Sequence, residues 1–297
     1  MVMPNFLIVG FPKAGTTSVY RYLEQHPEVY VSPTKELNFF SSIVEHPVID
    51  PQLTGGMTDP DAYRAVFAPG AGHTAIGEAS PIYATDPAVP AEIVRRAPEA
   101  RVIALVRDPA ERAYSQYWMR VRDGREQRPF EAAIDDELRA VGDSPWQPNV
   151  DHYLASGFYA RHLAPYWEHF APDRLACYLF EDLEADPAAV MHDVFRFLGV
   201  DQHFVADTSV RHNVAGAPKS ALMQPFMRKT KLSQSVRRML PKPVGDFALA
   251  KLEAWRSRNV SKPALAPKSR RRLVSIFRSD IEQLQDRLGR DLSYWLA

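Results

Sequence analysis

The residues with the clearest chemical potential lie near the start of the chain, in the run Gly10-Phe11-Pro12-Lys13-Ala14-Gly15-Thr16-Thr17. An apolar segment precedes this run and a segment with helical spacing follows it, so backbone N–H groups there can bind phosphate. The two glycines have Walker A spacing, but Thr16 stands where that loop requires lysine, and Lys13 lies inside the loop. The run therefore predicts a phosphate-binding loop outside the nucleoside triphosphatase pattern. A plain glycine turn with an exposed lysine is the alternative.

A second group of polar residues lies between Arg107 and Ser115. Arg107 directly follows a predicted buried strand, at the end of the strand where open α/β sheets bind ligands. Ser115 lies two helical turns further on. A guanidinium and a hydroxyl in this arrangement can bind a second, separate phosphate. Taken alone, the stretch favours a simpler Arg–Asp capping pair with Asp108.

The elements that must position these residues alternate along the chain. Apolar runs predict strands at Phe6–Phe11, Val29–Val31, Thr74–Glu78, Arg101–Val106 and Leu175–Phe180. Helical spacing predicts helices at Thr16–Gln25, Val89–Arg96, Asp108–Asp123, Pro129–Val141, Gly157–Phe170, Pro187–Leu198 and Lys268–Leu288, and a further one beginning at Lys35. The alternation predicts an α/β fold, a P-loop-like three-layer fold with a central, mainly parallel sheet flanked by helices. No linker marks a boundary, so residues 1–297 are expected to form a single domain.

The composition excludes several other classes of protein. The 297 residues are 45% hydrophobic and 24% charged with no net charge, which excludes a disordered, collagenous or coiled-coil chain. The single cysteine, Cys177, excludes an intrachain disulfide, and no histidines have metal-ligand spacing on a helix face. No apolar run approaches the ~18 residues of a membrane span, and the start lacks the basic region of a signal peptide. We therefore expect a cytoplasmic protein with no transmembrane segment and no metal site.

The zero net charge conceals a basic segment. Between Arg211 and Arg272 the chain has sixteen Lys or Arg and two acidic residues, a formal charge of +14. Such a segment indicates either an anionic partner or a set of solvated helix faces. It lacks the repeated aromatic pattern of nucleic-acid binding, so no nucleic-acid partner is expected. Because Met and Phe interleave with the cations, residues 211–266 are predicted to form a basic lid or acceptor-binding wall.

Together, the loop Gly10–Thr17 and the stretch Arg107–Ser115 resemble two motifs of the sulfotransferases that use 3′-phosphoadenosine 5′-phosphosulfate (PAPS), the 5′-phosphosulfate loop and the 3′-phosphate motif. The resemblance extends to about Gly199 and is greatest to the branch that contains the heparan sulfate sulfotransferases. Three further stretches support that branch, namely Lys35–Phe40, Gly77–Tyr83 and Ser156–Leu163. The resemblance implies transfer of a sulfuryl group from PAPS to a hydroxyl, less readily an amine, of a small-molecule, lipid or glycan acceptor.

The resemblance also implies roles for particular residues. Lys13 matches the lysine that contacts the transferred sulfuryl group and the bridging oxygen. Glu36 matches the acidic residue that serves as base, although taken alone it is also typical of the first turn of a helix. Cofactor binding is implied for Pro12, Lys13, Ala14, Gly15, Thr16 and Thr17 around the 5′-phosphosulfate, Arg107 and Ser115 at the 3′-phosphate, Tyr159 near the nucleotide, and Lys219 in a late closing loop.

The expected chemistry agrees with these residue types. Sulfuryl transfer is an in-line displacement in which charge moves onto the leaving oxygen, as in phosphoryl transfer. A sulfuryl group carries less negative charge than a phosphoryl group, so fixed cations and backbone dipoles can suffice without magnesium. A carboxylate such as Glu36 can accept the proton of the acceptor hydroxyl. Among the histidines, His152 and His212 flank segments that could border the acceptor.

Two positions depart from the heparan sulfate branch. Ala79 stands where those enzymes often have lysine, and Asn38 stands where the 3-O-sulfating members have histidine. Both positions lie on the acceptor side, which argues against heparan sulfate itself as the acceptor. Two other classes remain open, a P-loop kinase-like nucleotide enzyme and a catalytically inactive nucleotide-binding module. The missing Walker lysine counts against the first, and the joint presence of Lys13 and Glu36 counts against the second.

Overall fold

A five-stranded parallel sheet forms the centre of the protein. The computed structural model describes residues 2–41, 56–141, 152–209, 217–218 and 260–297. The strands of the sheet are β1 (Phe6–Ile8), β2 (Val29–Val31), β3 (Ala75–Ala79), β4 (Arg101–Val106) and β5 (Leu175–Leu179). Their spatial order is β2-β3-β1-β4-β5, and every neighbouring pair is parallel. This confirms the predicted α/β fold and its parallel sheet.

The strand order places the two polar motifs side by side. From β1 the chain moves outward to β2 and returns through β3, and it then crosses to the other side of β1 to form β4. The order therefore reverses between β1 and β4, and such a switch point opens a crevice at the carboxyl ends of the strands. The loop after β1 carries Lys13, and the residue after β4 is Arg107. The topology thus brings both motifs to one crevice.

The central strands are buried on both faces. All three residues of β1 and the five residues from Val102 to Val106 of β4 are 0% exposed. Successive strand residues point to opposite faces, so complete burial means that both faces are covered by other elements. The continuous apolar composition of these two strands follows from that burial. Cys177 lies on the outer strand β5, where burial of its thiol raises the pKa to about 12.

Nine α-helices of the described residues surround the sheet. They are α1 (Thr16–Leu23), α2 (Pro60–Phe67), α3 (Val89–Arg96), α4 (Pro109–Asp123), α5 (Phe130–Val141), α6 (Tyr159–His169), α7 (Phe180–Ala185), α8 (Pro187–Leu198) and α9 (Pro267–Leu288). Short 3₁₀ turns lie at Ala68–Gly70, Pro81–Thr85, Ala155–Gly157 and Ser293–Leu296, and a two-residue antiparallel pair joins Ala217–Pro218 to Val260–Ser261. The seven full helices expected from the sequence are confirmed to within a few residues. Helices α2 and α7 are additional.

The helix expected to begin at Lys35 does not form. The backbone has φ of +63° at Glu36 and +55° at Asn38, in the left-handed region that no right-handed helix contains. The turn is held from outside, because the Glu36 N–H donates to the Ala79 carbonyl oxygen (2.9 Å) at the end of β3. Glu36 is therefore not an acid in the first turn of a helix, and that alternative is wrong.

The C-terminal helix α9 fastens α6 to the rest of the fold. The N-terminus of α6 is capped by Asp280 of α9, whose carboxylate accepts the N–H groups of Ala160 (3.0 Å) and Arg161 (3.1 Å). A cap supplied from 120 residues away satisfies backbone donors that a helix leaves without partners at its first turn. Because α6 begins with Tyr159, this contact fixes a predicted site residue.

Candidate active site

The loop after β1 has the geometry of an anion-binding cradle. A Cβ atom at Gly10 would lie 2.7 Å from Thr16 Cγ2 and 3.0 Å from the Leu105 backbone nitrogen, so only glycine fits. Gly15 has φ of +94° and serves as the N-cap of α1, and no side chain among the described residues caps that helix. The N–H groups of Thr16 and Thr17 therefore lie at the loop, where an anion can accept from them, whereas that of Ser18 donates to the Gly15 carbonyl oxygen at 2.9 Å.

Lys13 and Arg107 meet at this loop. Lys13 has φ of +70°, a left-handed conformation that costs free energy for any residue with a Cβ atom. Its carbonyl oxygen accepts a hydrogen bond from Arg107 Nη1 at 3.2 Å. The Arg107 guanidinium also lies 4.2 Å from the centroid of the Phe180 ring, which holds its plane in place. The structure thus connects the two motifs that the sequence predicted separately.

The turn after Arg107 is fixed by three elements. Asp108 caps α4, accepting from the N–H groups of Ala110 (2.9 Å) and Glu111 (3.2 Å). Its second carboxylate oxygen pairs with Arg270 of α9 at 2.8 Å. Its own N–H donates to Glu181 of α7 at 2.9 Å. The position of Arg107 therefore depends on α4, α7 and α9 together.

The rest of the second motif lies along α4. Ser115 is 2% exposed on the second turn of the helix. Arg112 is 0% exposed, and it donates to the Gln116 side chain (2.6 Å) and to the Tyr153 carbonyl oxygen. Arg112 therefore has a structural role, because it fastens the segment before α6 to α4. This separates it from Arg107, which is half-buried at the crevice.

Tyr159 lies beneath the phosphate loop. Its side chain is 0% exposed, and its ring centroid is 4.6 Å from that of Phe11 and 6.2 Å from that of Trp295. Burial raises the pKa of its hydroxyl well above the ordinary value. These contacts support the loop from the core side, and contact between Tyr159 and a nucleotide stays a prediction. Lys219, His212 and most of residues 211–266 lie outside the described residues.

His162, one helical turn beyond Tyr159 on α6, also packs against Phe11. The ring centroids are 5.9 Å apart, and Nε2 donates to the Ala155 carbonyl oxygen at 2.8 Å, which fixes the neutral tautomer. Burial lowers the pKa of His162 to about 4, well below its usual value. The imidazole is thus a neutral part of the support beneath the loop.

We expect the stability of this support to depend on pH through His162. The unfolded chain binds a proton near pH 6.5 and the folded chain only near pH 4, so protons favour unfolding as the pH falls between these values. His162→Gln keeps an N–H donor but does not titrate. The free energy of unfolding of the wild type should therefore fall relative to the variant by roughly 3 kcal/mol between pH 7 and pH 4. Urea unfolding at several pH values measures it, and a pH-independent difference would contradict it.

Glu36 is exposed at the carboxyl end of the sheet, beside the phosphate loop. Lys35 connects the Glu36 segment to the phosphate loop, although the sequence motifs assign no role to this residue. Its Nζ donates to Thr17 Oγ1 at 2.8 Å and lies 5.6 Å from the centroid of the Tyr20 ring. Lys35 therefore couples the Glu36 segment to α1 and adds a cation to the crevice. The sequence feature that indicates a role for Lys35 is its position directly before Glu36 in the stretch Lys35–Phe40.

The crevice thus combines a phosphate loop, three cations of the described residues (Lys13, Lys35 and Arg107) and an exposed carboxylate. A family model described as "Sulfotransferase domain" matches residues 3–285. The chain belongs to the sulfotransferase domain family. This confirms the resemblance drawn from the two motifs.

Known sulfotransferases resemble the chain in sequence and in fold. It is 26% identical over 290 residues to a human bifunctional heparan sulfate N-deacetylase/N-sulfotransferase 3, which covers 95% of this chain and 32% of that protein. It is 28% identical to a mouse heparan sulfate glucosamine 3-O-sulfotransferase 3B1, with 68% of this chain and 49% of that protein covered. The crystal structure of a sulfotransferase from Alicyclobacillus acidocaldarius matches with a TM-score of 0.76, 29% identity and 100% coverage of both chains. This likeness confirms the P-loop-like three-layer fold, and the chain spans less than half the length of these two curated relatives.

No helix of the described residues is long and apolar enough to cross a membrane. The same part of the chain contains no group of three or more His, Cys, Asp and Glu side chains placed to bind a metal ion.

Proposed function

We propose that this sulfotransferase transfers the sulfuryl group of PAPS to a hydroxyl group of a small-molecule, lipid or glycan acceptor. The observation that carries the proposal is the hydrogen bond from Arg107 to the Lys13 carbonyl oxygen, 3.2 Å long. This hydrogen bond joins the anion-binding loop after β1, which carries Lys13, to a second candidate anion site after β4, which carries Arg107. PAPS has two separate anionic groups, a 5′-phosphosulfate and a 3′-phosphate, and two adjacent anion sites suit such a donor.

The residues of the crevice fit the two ends of this donor. In this proposal the 5′-phosphosulfate binds at the loop that begins with Gly10, which packs against Thr16 and Leu105. The residues around it are Pro12, Lys13, Ala14, Gly15, Thr16 and Thr17. Arg107 and Ser115 hold the 3′-phosphate in this proposal, Tyr159 supports the nucleotide side, and Lys219 belongs to a closing loop. The donor supplies the activated sulfuryl group, and the chain supplies fixed cations, N–H dipoles and a base.

The transfer itself assigns different tasks to Lys13 and Glu36. The acceptor oxygen attacks sulfur as the bond from sulfur to the bridging phosphate oxygen breaks, so negative charge grows on the leaving phosphate. The Lys13 ammonium stabilises that charge in place. The Glu36 carboxylate accepts the proton that the acceptor hydroxyl loses, which leaves a sulfate ester and 3′-phosphoadenosine 5′-phosphate (PAP). Fixed charges perform these tasks, and the proposed reaction requires no metal.

The proposed acceptor of this chain differs from the one that the names of its curated relatives indicate. The names of the relatives indicate heparan sulfate as their substrate, but Ala79 and Asn38 depart from that branch here. The side chain of Asn38 is 6% exposed and its Oδ1 has no hydrogen-bond partner among the described residues. We therefore propose another hydroxyl-bearing acceptor, with the basic residues 211–266 as its wall. The chemical class of the acceptor is identified by testing a panel of phenols, lipid alcohols, glycans and amines and measuring the release of PAP from PAPS with each.

Calorimetric titration with PAP, AMP and ATP, each with and without magnesium, tests the donor. We expect PAP to bind without magnesium and far more tightly than AMP, which lacks the 3′-phosphate. Arg107→Ala should reduce the preference for PAP over AMP by about 10- to 100-fold, because charge-assisted hydrogen bonds contribute about 1.5–3 kcal/mol. The matched control is Arg278→Ala, which removes an exposed arginine of α9. A preference for ATP with magnesium would contradict the proposal and favour a kinase-like enzyme.

A further inference from the structure

A fully buried carboxyl group lies beneath the segment that carries Glu36. Glu78 is the fourth residue of β3, and it is 0% exposed. Its Oε1 accepts hydrogen bonds from the hydroxyls of Tyr63 (2.7 Å) and Tyr83 (2.8 Å), and its Oε2 accepts one from Ser80 (2.7 Å). The backbone of Leu37 also donates to this carboxyl group. Four donors therefore converge on one buried side chain.

Two of these hydroxyls also bind the backbone of the Glu36 segment. The N–H of Asn38 donates to Ser80 Oγ at 3.1 Å, and the N–H of Phe40 donates to Tyr83 Oη at 3.3 Å. A hydroxyl has one hydrogen, so an oxygen that accepts from the segment directs its own hydrogen to Glu78. Each relay therefore runs from a backbone N–H through a hydroxyl to the carboxylate.

The direction of the relays determines the protonation state of Glu78. Both of its oxygens have to accept, and an ionised carboxylate accepts at both without donating a hydrogen of its own. A protonated acid or an amide would direct a hydrogen at a hydroxyl that is already donating, so one relay would break. Burial raises the pKa of Glu78, and the hydrogen bonds from Ser80, Tyr63 and Tyr83 oppose that rise. The hydroxyl cluster is thus complete only around the anion.

The segment needs these anchors because its backbone is in an unfavourable conformation. Glu36 and Asn38 both have positive φ, which residues with a Cβ atom keep only when surrounding structure holds them. Every second N–H group of the segment is bound from outside it. That of Glu36 donates to Ala79, that of Asn38 to Ser80 and that of Phe40 to Tyr83. All three acceptors lie at or just beyond the end of β3, next to Glu78.

We infer that Glu78 is a positioning residue for sulfuryl transfer, whose carboxylate fixes Ser80 and Tyr83 and, through them, the backbone that presents Glu36. The inference deepens the proposed function and rests on the role of Glu36 as base. A misplacement of ~1 Å costs about 100-fold in rate when a reacting group must be held in line. Loss of one relay should therefore lower kcat while leaving donor binding at the separate phosphate loop unchanged.

Two tyrosines provide a matched pair of variants. Tyr63→Phe and Tyr83→Phe each remove one buried hydroxyl from the same oxygen of Glu78, but only Tyr83 also binds the segment. The ring of Tyr63 stacks on Phe39 with centroids 4.0 Å apart, and phenylalanine retains that contact. Ser80→Ala breaks the other relay. Glu78→Gln breaks the centre of the cluster and is used if it folds.

Hydrogen exchange of residues 36–41 and steady-state kinetics are measured on the full chain of each variant. In Tyr83→Phe and Ser80→Ala we expect exchange of this segment to rise at least tenfold and kcat to fall about 10- to 100-fold, with the Kd for PAP changed less than twofold. In Tyr63→Phe both quantities should stay within about twofold of the wild type, because its hydroxyl does not bind the segment. A purely structural role would affect the two tyrosine variants equally.

Equal exchange or equal kcat in Tyr63→Phe and Tyr83→Phe would overturn the inference. So would a fall in kcat that is accompanied by an equal weakening of PAP binding. Failure of the wild-type chain to bind PAP would instead overturn the proposed function. In that case the exchange measurement still decides whether Glu78 anchors residues 36–41.

Discussion

Lys13→Ala is expected to lower the rate of sulfuryl transfer by about 10²–10³-fold, the loss that follows removal of one fixed group facing the developing charge. The ammonium belongs to a loop whose backbone is held by Arg107, which donates to the Lys13 carbonyl oxygen at 3.2 Å. Binding of PAP should weaken much less than turnover, because charge on the bridging oxygen grows only in the transition state. Turnover and calorimetry on the same preparation separate the two effects.

The left-handed backbone of Lys13 provides an internal control. Alanine retains the Cβ atom and therefore the cost of φ at +70°, so Lys13→Ala should fold as the wild type does. Lys13→Gly removes that cost together with the ammonium. It should be as inactive as Lys13→Ala but at least as stable, by up to ~1 kcal/mol. Lys268→Ala, an exposed lysine of α9, should keep normal turnover, and loss of activity there or full activity in Lys13→Gly would contradict the role of Lys13.

Stability and activity are in opposition at this loop. A lysine at positive φ is less favourable than a glycine, and it stands where the proposed reaction uses an ammonium. The same holds at Glu36, which also has positive φ. Of the three non-glycine residues with positive φ in the described chain, two are therefore the proposed catalytic residues. The third, Asn38, lies two residues further along the same segment as Glu36.

The sheet and the phosphate loop were predictable from the sequence because their determinants are local. The run Phe6–Ile8 is apolar throughout, as a strand buried on both faces requires. The two glycines of the loop have fixed spacing, and Arg107 directly follows an apolar strand. The resemblance to one family implies that the two motifs meet at one crevice. The strand order gives the physical reason for that meeting.

The Glu36 segment was not predictable because distant residues determine its shape. Its local sequence is compatible with a helical start, and the left-handed turns exist only because Ala79, Ser80 and Tyr83 bind its N–H groups. No pattern within residues 35–41 reports those partners. The sequence likewise indicates Glu78 only as a member of the stretch Gly77–Tyr83. Its role could not be predicted, since its burial and its three hydroxyl donors appear only in the folded chain. Long-range hydrogen bonds thus define the shape of the Glu36 segment, whereas the position of the phosphate loop follows from local sequence.

Glu36→Gln is the variant that most directly tests the proposed chemistry on that acceptor side. Glutamine has the same length and the same backbone cost at positive φ, but it cannot accept a proton from the acceptor. Turnover should therefore fall about 10²–10⁴-fold, the usual contribution of a positioned general base. The Kd for PAP should be unchanged, since the donor binds at the loop after β1 and at Arg107. Stability should also be unchanged, because the N–H of residue 36 still donates to Ala79.

The matched control for this variant is Glu99→Gln. Glu99 is exposed and lies with Asn5 and Arg101 at the amino ends of the strands, the edge of the sheet opposite the crevice. The same substitution there removes one exposed carboxylate without approaching the donor or the acceptor, so turnover should stay normal. Near-normal turnover in Glu36→Gln would assign the base to another residue. His152 is then the next to replace, because its Nδ1 is buried without a hydrogen-bond partner in the described chain and it lies close enough to Glu137 for their charges to interact.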